Sequence, residues 1–165
     1  VITELPEQLI SQAEFLMREA VLNEANVRRA VSSAYYALFH LLIRDAVVNW
    51  KHVDQHARLA RAFDHKRMKD ASTACLREMG TLPDTAARTN AEQASRFRLS
   101  TVAQAFVDLQ QARHKADYDI GEPFAPIDAA VDVAQSRLAF VAWAEVRDEP
   151  LAQRYLYSLL FRDRS

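Results

Sequence analysis

Residues 26–44, Asn-Val-Arg-Arg-Ala-Val-Ser-Ser-Ala-Tyr-Tyr-Ala-Leu-Phe-His-Leu-Leu-Ile-Arg, run without a glycine or proline. A helix turns about 100° per residue, and that period sorts this stretch into two sides. Val27, Val31, Ala34, Tyr35, Leu38, Leu41 and Leu42 share one broad side. Arg29, Ser33, Tyr36, His40 and Arg44 stack on the other at i+4, i+7, i+11 and i+15 from Arg29. A solvated helix face is normally a mixture of charges. This one has aromatic rings among its polar groups, with Phe39 near its edge, so the helix reads as buried on one side and half-buried on the other. Its second side is suited to a groove or a subunit contact.

The rest of the chain extends the helical reading. Only Gly80 and Gly121 occur in 165 residues, and helix formers dominate between them. The expected fold is an all-α antiparallel bundle of four to five helices, with an extra short helix at its C-terminal end. Half the residues are hydrophobic and 26% are charged, enough apolar material for one domain with a real core. No apolar run reaches the ~18 residues that span a bilayer, so no membrane association is expected. The first residues show no basic n-region or apolar h-region, which makes a cytoplasmic location the default. Cys75 has no second cysteine to pair with and reads as a small buried hydrophobe.

Breakers and caps divide the chain. A first helix is predicted over 6–22, opened by Pro6, with Leu9, Ala13, Leu16, Met17 and Ala20 as its apolar stripe, widened by Phe15 and Val21. The second follows a short break, with Asn26 as its cap, and runs to 48. So short a connection makes the two antiparallel neighbours. A third helix is predicted over 54–79, with Leu59, Ala60, Phe63, Met68, Ala71, Cys75, Leu76 and Met79 inward. Its register slips at 64–66, consistent with a kink or two shorter helices. Gly80 and Pro83 mark its stop. The fourth runs from Asn90, read as its cap, to Tyr118, with Ala94, Phe97, Val102, Ala105, Phe106 and Leu109 inward. The fifth spans 127–146, with Val131, Ala134, Leu138, Val141 and Ala142 inward. Pro150 separates a last helix over 150–161, which either packs back on the bundle or meets a second copy. Residues 1–146 thus form the bundle and 147–165 an extension.

Charge is uneven. Residues 1–24 carry five acids and one base, 51–79 seven Lys/Arg against four acids, and 117–149 eight acids against two bases. Internal pairing of the basic middle is expected ahead of an open phosphate-binding face. Lys66, Arg67 and Lys69 accordingly read as a solvated helix face. Chemistry-bearing motifs are few. His52, Asp54 and His56 lack the spacing of a metal helix, and no metal or cofactor is expected. Ser32 and Ser33 lie in mid-helix, away from any nucleophile elbow. Two glycines cannot build a phosphate loop. Trp50 and Trp143 read as core or loop anchors. The strongest constellation pairs the polar stripe at 29–44 with Gln110-Gln-Ala-Arg-His-Lys-Ala-Asp-Tyr-Asp119, where Arg113, Asp117 and Tyr118 stand at i, i+4 and i+5. Arg113 and Asp117 form at least an ion pair of a few tenths of a kcal/mol. An arginine so placed also suits a phosphate.

Arg28 to His40 resembles the signature helix of the HEPN superfamily, named for nucleotide binding in prokaryotes and higher eukaryotes. Residues 112–119, an arginine followed by Ala-Asp-Tyr, resemble the second signature of one bacterial and archaeal branch. The resemblance covers roughly 8–146. It implies a bundle that commonly dimerises, a link to RNA or nucleotides, and a small nucleotidyltransferase as partner. Many members are metal-independent ribonucleases or toxins of toxin–antitoxin pairs, in which a histidine follows the arginine after four to six residues. Here His114 is adjacent to Arg113, and Tyr118 stands where the motif places its histidine. Arg58 and His65 have a similar spacing on another helix, a chance match.

The resulting expectation is a non-catalytic module that binds a nucleotide, RNA or a partner protein. Arg29 and Arg113 are the anion contacts, His40 and Tyr118 the hydrogen-bonding groups, and Ser33 a supporting donor, with Tyr36 and Asp117 completing the groove. An endoribonuclease using Arg113 with Tyr118 or His114 is the alternative, and a purely structural homodimeric module the third.

Overall fold

The computed structural model describes residues 4–19, 23–81 and 89–161. Among these residues the chain is all-α. Its helices are α1 (Leu5–Arg18), α2 (Glu24–Val48), α3 (His56–Ala60), α4 (His65–Thr81), α5 (Asn90–Tyr118), α6 (Pro126–Val146) and α7 (Pro150–Leu160), with a single 3₁₀ turn, Val53–Gln55, before α3.

α2 is the central rod. It packs against α1, α5 and α6 along its length and touches α3 and α7 near its C-terminal end. Every residue assigned to its apolar side is buried, and so are Ala30, Ser32, Ser33, Ala37, Phe39 and Ile43. The core around it contains Tyr35, Leu38 and Leu42 together with Ile10, Leu99, Phe106, Leu109 and Trp143. Polar groups taken into this core are satisfied there. Trp143 Nε1 donates to Asp45 Oδ2 at 2.8 Å, and Arg44 Nε lies 3.0 Å from Asp45 Oδ1. Ser136 Oγ donates to the Ala34 carbonyl at 2.9 Å. The Gln12–Ser33 and Glu7–Arg44 pairs set α1 antiparallel to α2, as the short connection required. The Ala34–Ser136 and Asp45–Trp143 pairs set α6 parallel to α2.

Helix ends follow local chemistry, with two shifts from the sequence reading. The cap of α2 is Asn23, whose side chain accepts from the Asn26 amide at 2.9 Å; Asn26 is inside the helix. The cap of α5 is Thr89, in a reciprocal box with Glu92, and Asn90 is the first helical residue. A hydroxyl with a glutamate three residues on outcompetes a neighbouring asparagine. Gly80 does not end α4, which continues through Thr81; Pro83 lies outside the described residues, as do Ala20, Val21 and Leu22 of the first helix. The register slip at 64–66 is a true break: α3 ends at Ala60, and α4 restarts at His65 with Asp64 accepting from the Arg67 amide.

Two faces differ from expectation. On α6 the inward residues are Ala129, Val133, Ser136, Ala139, Trp143 and Val146 together with Ala142; Val131, Ala134, Leu138 and Val141 point outward. The helix is apolar on nearly every side, so periodicity cannot say which side the core takes. Phe97 of α5 and Phe15 of α1 are likewise exposed, at 75% and 56%. α7 folds back onto α4, α2 and α5. Its Tyr155 reaches Ser72 Oγ at 2.7 Å, and because Ser72 gives its own proton to the Met68 carbonyl, the phenol is the donor. The C-terminal helix is therefore part of the core.

Candidate functional site

The end of α5 is fastened to α2 by Arg28. Its guanidinium donates to the carbonyls of Ala116 at 3.0 Å, Asp119 at 2.8 Å and Glu122 at 2.6 Å, and it also pairs with Glu24. The last carbonyls of a helix lack intrahelical partners and carry its negative dipole end, so a cation there is doubly favourable. The consequence is positional: with the Ala116–Asp119 turn tied to Arg28, the next turn of α2 faces Arg113, Asp117 and Tyr118.

There the two helices exchange polar contacts. Arg113 Nη2 donates to Tyr36 Oη at 2.7 Å. Arg113 Nε lies 2.6 Å from Asp117 Oδ2, yet its N–H is not aimed at that oxygen and has no hydrogen-bond partner. The other carboxylate oxygen of Asp117 accepts from Ser32 Oγ. The guanidinium also sits 5.3 Å from the centre of the Tyr36 ring and 5.4 Å from that of Tyr118. Burial disfavours its charge, but Tyr36, Asp117 and Tyr118 outweigh burial and raise its pKa above the ordinary arginine value. The cation is thus fixed in charge and in place by two rings and one carboxylate.

Behind Tyr36 lies an aromatic cluster with two histidines. His65, the first residue of α4, stacks on Phe39 with centroids 4.3 Å apart, and its Nδ1 is 2.6 Å from Tyr35 Oη. His40 stacks on Tyr36 at 6.2 Å. Burial, with Arg113 nearby, holds the His65 pKa below its usual value; burial and then His65 do the same to His40. Burial also raises the Tyr35 phenol well above its ordinary range. With the phenol protonated and the imidazole neutral, Tyr35 is the donor and the His65 proton sits on Nε2.

Arg113, Asp117, Tyr118 and Tyr36 are therefore brought together, with His40 stacked on Tyr36. Ser33 is not among them: it is turned to α1, where it donates to Gln12 at 3.1 Å. A single residue's rotation on the wheel decides this, and Ser32 takes the place at α5. Arg29 is exposed one turn before Ser32 and Ser33, while its neighbour Arg28 takes the helix end. His114 is exposed and turned toward Tyr118, ring centres 5.1 Å apart. Sequence reasoning missed Arg28, Ser32, Tyr35 and His65. The Glu24–Arg28 spacing of i, i+4 is the one signal that set Arg28 apart; His65 needed the tertiary fold.

Two cations of the basic middle are engaged within the chain. Lys66 pairs with Asp70 at 2.8 Å, and Arg67 caps α7 through the Leu160 carbonyl at 2.9 Å. Among the described residues, no three His, Cys, Asp or Glu side chains gather as a metal site, and no helix is long and apolar enough to cross a membrane.

No family model matches this chain, and no curated protein or solved structure matches it.

Proposed function

We propose that this chain is a HEPN-like module that binds RNA or a nucleotide at the α2–α5 groove without cleaving it, as part of a cytoplasmic toxin–antitoxin-type or nucleotidyltransferase-associated system. The observation that carries this reading is the setting of Arg113. Its charge is held half-buried against two tyrosine rings, and one of these, Tyr118, is 63% exposed at the groove mouth with His114 beside it. A phosphate recognises the guanidinium and a base stacks on the exposed rings, the two elements of single-strand recognition. Arg29 is a second, exposed cation on the same stretch of α2.

The arrangement favours binding over cleavage. General acid–base catalysis requires a group within about 3 Å of the proton it moves. His65 is engaged by Tyr35 and Phe39, His40 is stacked behind Tyr36, and His114 faces Tyr118.

The test is an anisotropy titration and a gel assay with short single-stranded RNAs, on wild type and on Arg113→Ala. Binding without cleavage, weakened about tenfold or more in the variant, is expected. Cleavage that disappears in Arg113→Ala replaces this reading with a ribonuclease. Absence of both activities leaves a protein partner as the ligand of the groove.

A further inference from the structure

α4 and α7 run antiparallel and are pinned together at two places. Arg67 Nη1 donates to the Leu160 carbonyl at 2.9 Å, and Tyr155 Oη meets Ser72 Oγ at 2.7 Å. Toward α7 the middle of α4 presents only Ala71, Ala74 and Cys75, which share one face at helical spacing. Side chains this small do not fill the space between the helices, and a cavity of about 360 Å³ opens there. Leu99, Tyr155 and Cys75, all buried, form its inner wall. Ala74 is exposed and stands at its mouth. The volume is at the small end of ligand sites and suits one small molecule with an apolar body.

The polar groups of the lining come in opposite signs. Arg154 of α7 and Glu78 of α4 both border the cavity, with Nη2 and Oε1 3.7 Å apart. A charge-assisted hydrogen bond is closer to 2.7–2.9 Å, so these two charges stand side by side without being locked together. Both reach the inner wall: burial first, then Glu78, push the Cys75 thiol up to about 11, and Arg154 opposes them. Arg67 and Asp70 repeat the pairing of signs along the same lining, which thus carries two cations and two anions. Ser158, also in the lining, gives its proton to the Tyr155 carbonyl and keeps its oxygen as an acceptor.

We infer that this cavity binds a free amino acid with a large apolar side chain, of the leucine or phenylalanine kind. The side chain enters between α4 and α7, the α-carboxylate meets Arg154, and the α-ammonium meets Glu78. Charge complementarity chooses this occupant. An α-amino acid carries both charges on one carbon, so it needs a cation and an anion side by side, as Arg154 and Glu78 are. An apolar carboxylic acid would bring a lone negative charge beside Glu78, and an apolar amine a lone positive charge beside Arg154. A peptide holds its terminal charges too far apart to use the pair. A lining with as many anions as cations fits a ligand of zero net charge. The exposed Arg154–Glu78 pair adds little to stability, so opening it to admit the ligand costs little. The proposal does not depend on the RNA reading, because none of these residues belongs to the α2–α5 groove.

Calorimetric titration of the full chain with L-phenylalanine and L-leucine tests it, beside 3-phenylpropionate and phenethylamine, which each lack one of the two charges. At least one amino acid is expected to bind, and its counterparts to bind about tenfold or more weakly. Arg154→Gln is expected to weaken the amino acid about tenfold. Ala74→Trp is expected to abolish binding by closing the mouth, with the melting temperature of the free protein little changed because Ala74 is exposed. Cys75 is the one cysteine of the sequence, so its reaction with a small thiol reagent reports on this cavity; a saturating amino acid should slow it about tenfold. Failure of both amino acids to bind overturns the proposal. So does binding that Ala74→Trp and the Cys75 reaction do not register, which places the ligand elsewhere. Equal binding of 3-phenylpropionate overturns the amino acid in favour of a simple apolar anion.

Discussion

At the scale of single residues, the proposed RNA-binding role of the groove turns on what already holds Arg113. Asp117 holds its carboxylate between Ser32 and the guanidinium, where an incoming phosphate would bind. The pair is half-exposed, so it adds little to stability, but it is a direct rival of an anionic ligand. Asp117→Asn keeps the shape and removes the charge. RNA affinity should rise about three- to tenfold with little change in melting temperature, and an anisotropy titration reads it. A fall in affinity would instead make Asp117 a ligand contact in its own right. The adjacent arginines on α2 make a second pair of predictions. Arg28→Ala removes several charge-assisted bonds to the carbonyls at the end of α5 and should cost about 2 kcal/mol in urea denaturation. Arg29→Ala, at an exposed position, should stay within about 0.5 kcal/mol. RNA binding should reverse the ranking only if Arg29 touches the ligand while the folded fraction of Arg28→Ala is intact.

At the scale of elements, what was legible in the sequence depended on contrast. α2 could be read because its large aliphatics and its polar stripe alternate with a clear helical period, and every residue assigned to its apolar side is buried. The break before His65 was legible as a register slip. α6 was legible as a helix but not in its orientation, because Ala, Val and Leu recur on all its sides and only tertiary packing selects the buried one. The candidate site was half legible for a related reason. Arg113, Asp117 and Tyr118 lie on one helix, so their spacing alone groups them. Ser32 and Ser33 differ by a single 100° step, and His65 reaches the cluster from a helix that sequence alone does not bring near. α7 offers the test of how elements share stability. Leu159 is fully buried, and Tyr155 beside it is bonded to Ser72 of α4. Leu159→Ala should cost about 3 kcal/mol and should lower a single unfolding transition with its denaturant slope unchanged. An early partial transition would instead show that α7 melts on its own.

At the scale of the whole molecule, the buried titratable groups set how the fold responds to acid. His40 and His65 have folded pKa values below the ordinary imidazole value. At pH 8 both are neutral in the folded and unfolded chains and contribute no slope. As pH falls through about 6.5, the unfolded chain takes up protons that the folded chain resists, so stability falls. The groups facing His65 do not reverse this, because Arg113 opposes its charge and Asp64 only partly offsets burial. Asp132 acts in the opposite sense. Burial, then Asp128 and Asp108, push its folded acid up to about 6, well above the ordinary aspartate range, so the cost of keeping it ionised is present above that pH and is relieved as pH falls. The two imidazoles and the carboxyl thus act in opposite directions as pH falls from 7 to 5.5. Asp132→Asn should therefore be more stable than wild type at pH 7.5 and should decline more steeply toward pH 5.5. His65→Phe should do the reverse: it keeps a ring against Phe39 but leaves the buried Tyr35 hydroxyl unpaired, giving a lower starting point at pH 7.5, by about 1–3 kcal/mol, and a shallower decline. Urea titrations across that range separate the two slopes. Parallel curves for both variants would show that neither group carries the acid sensitivity of the fold.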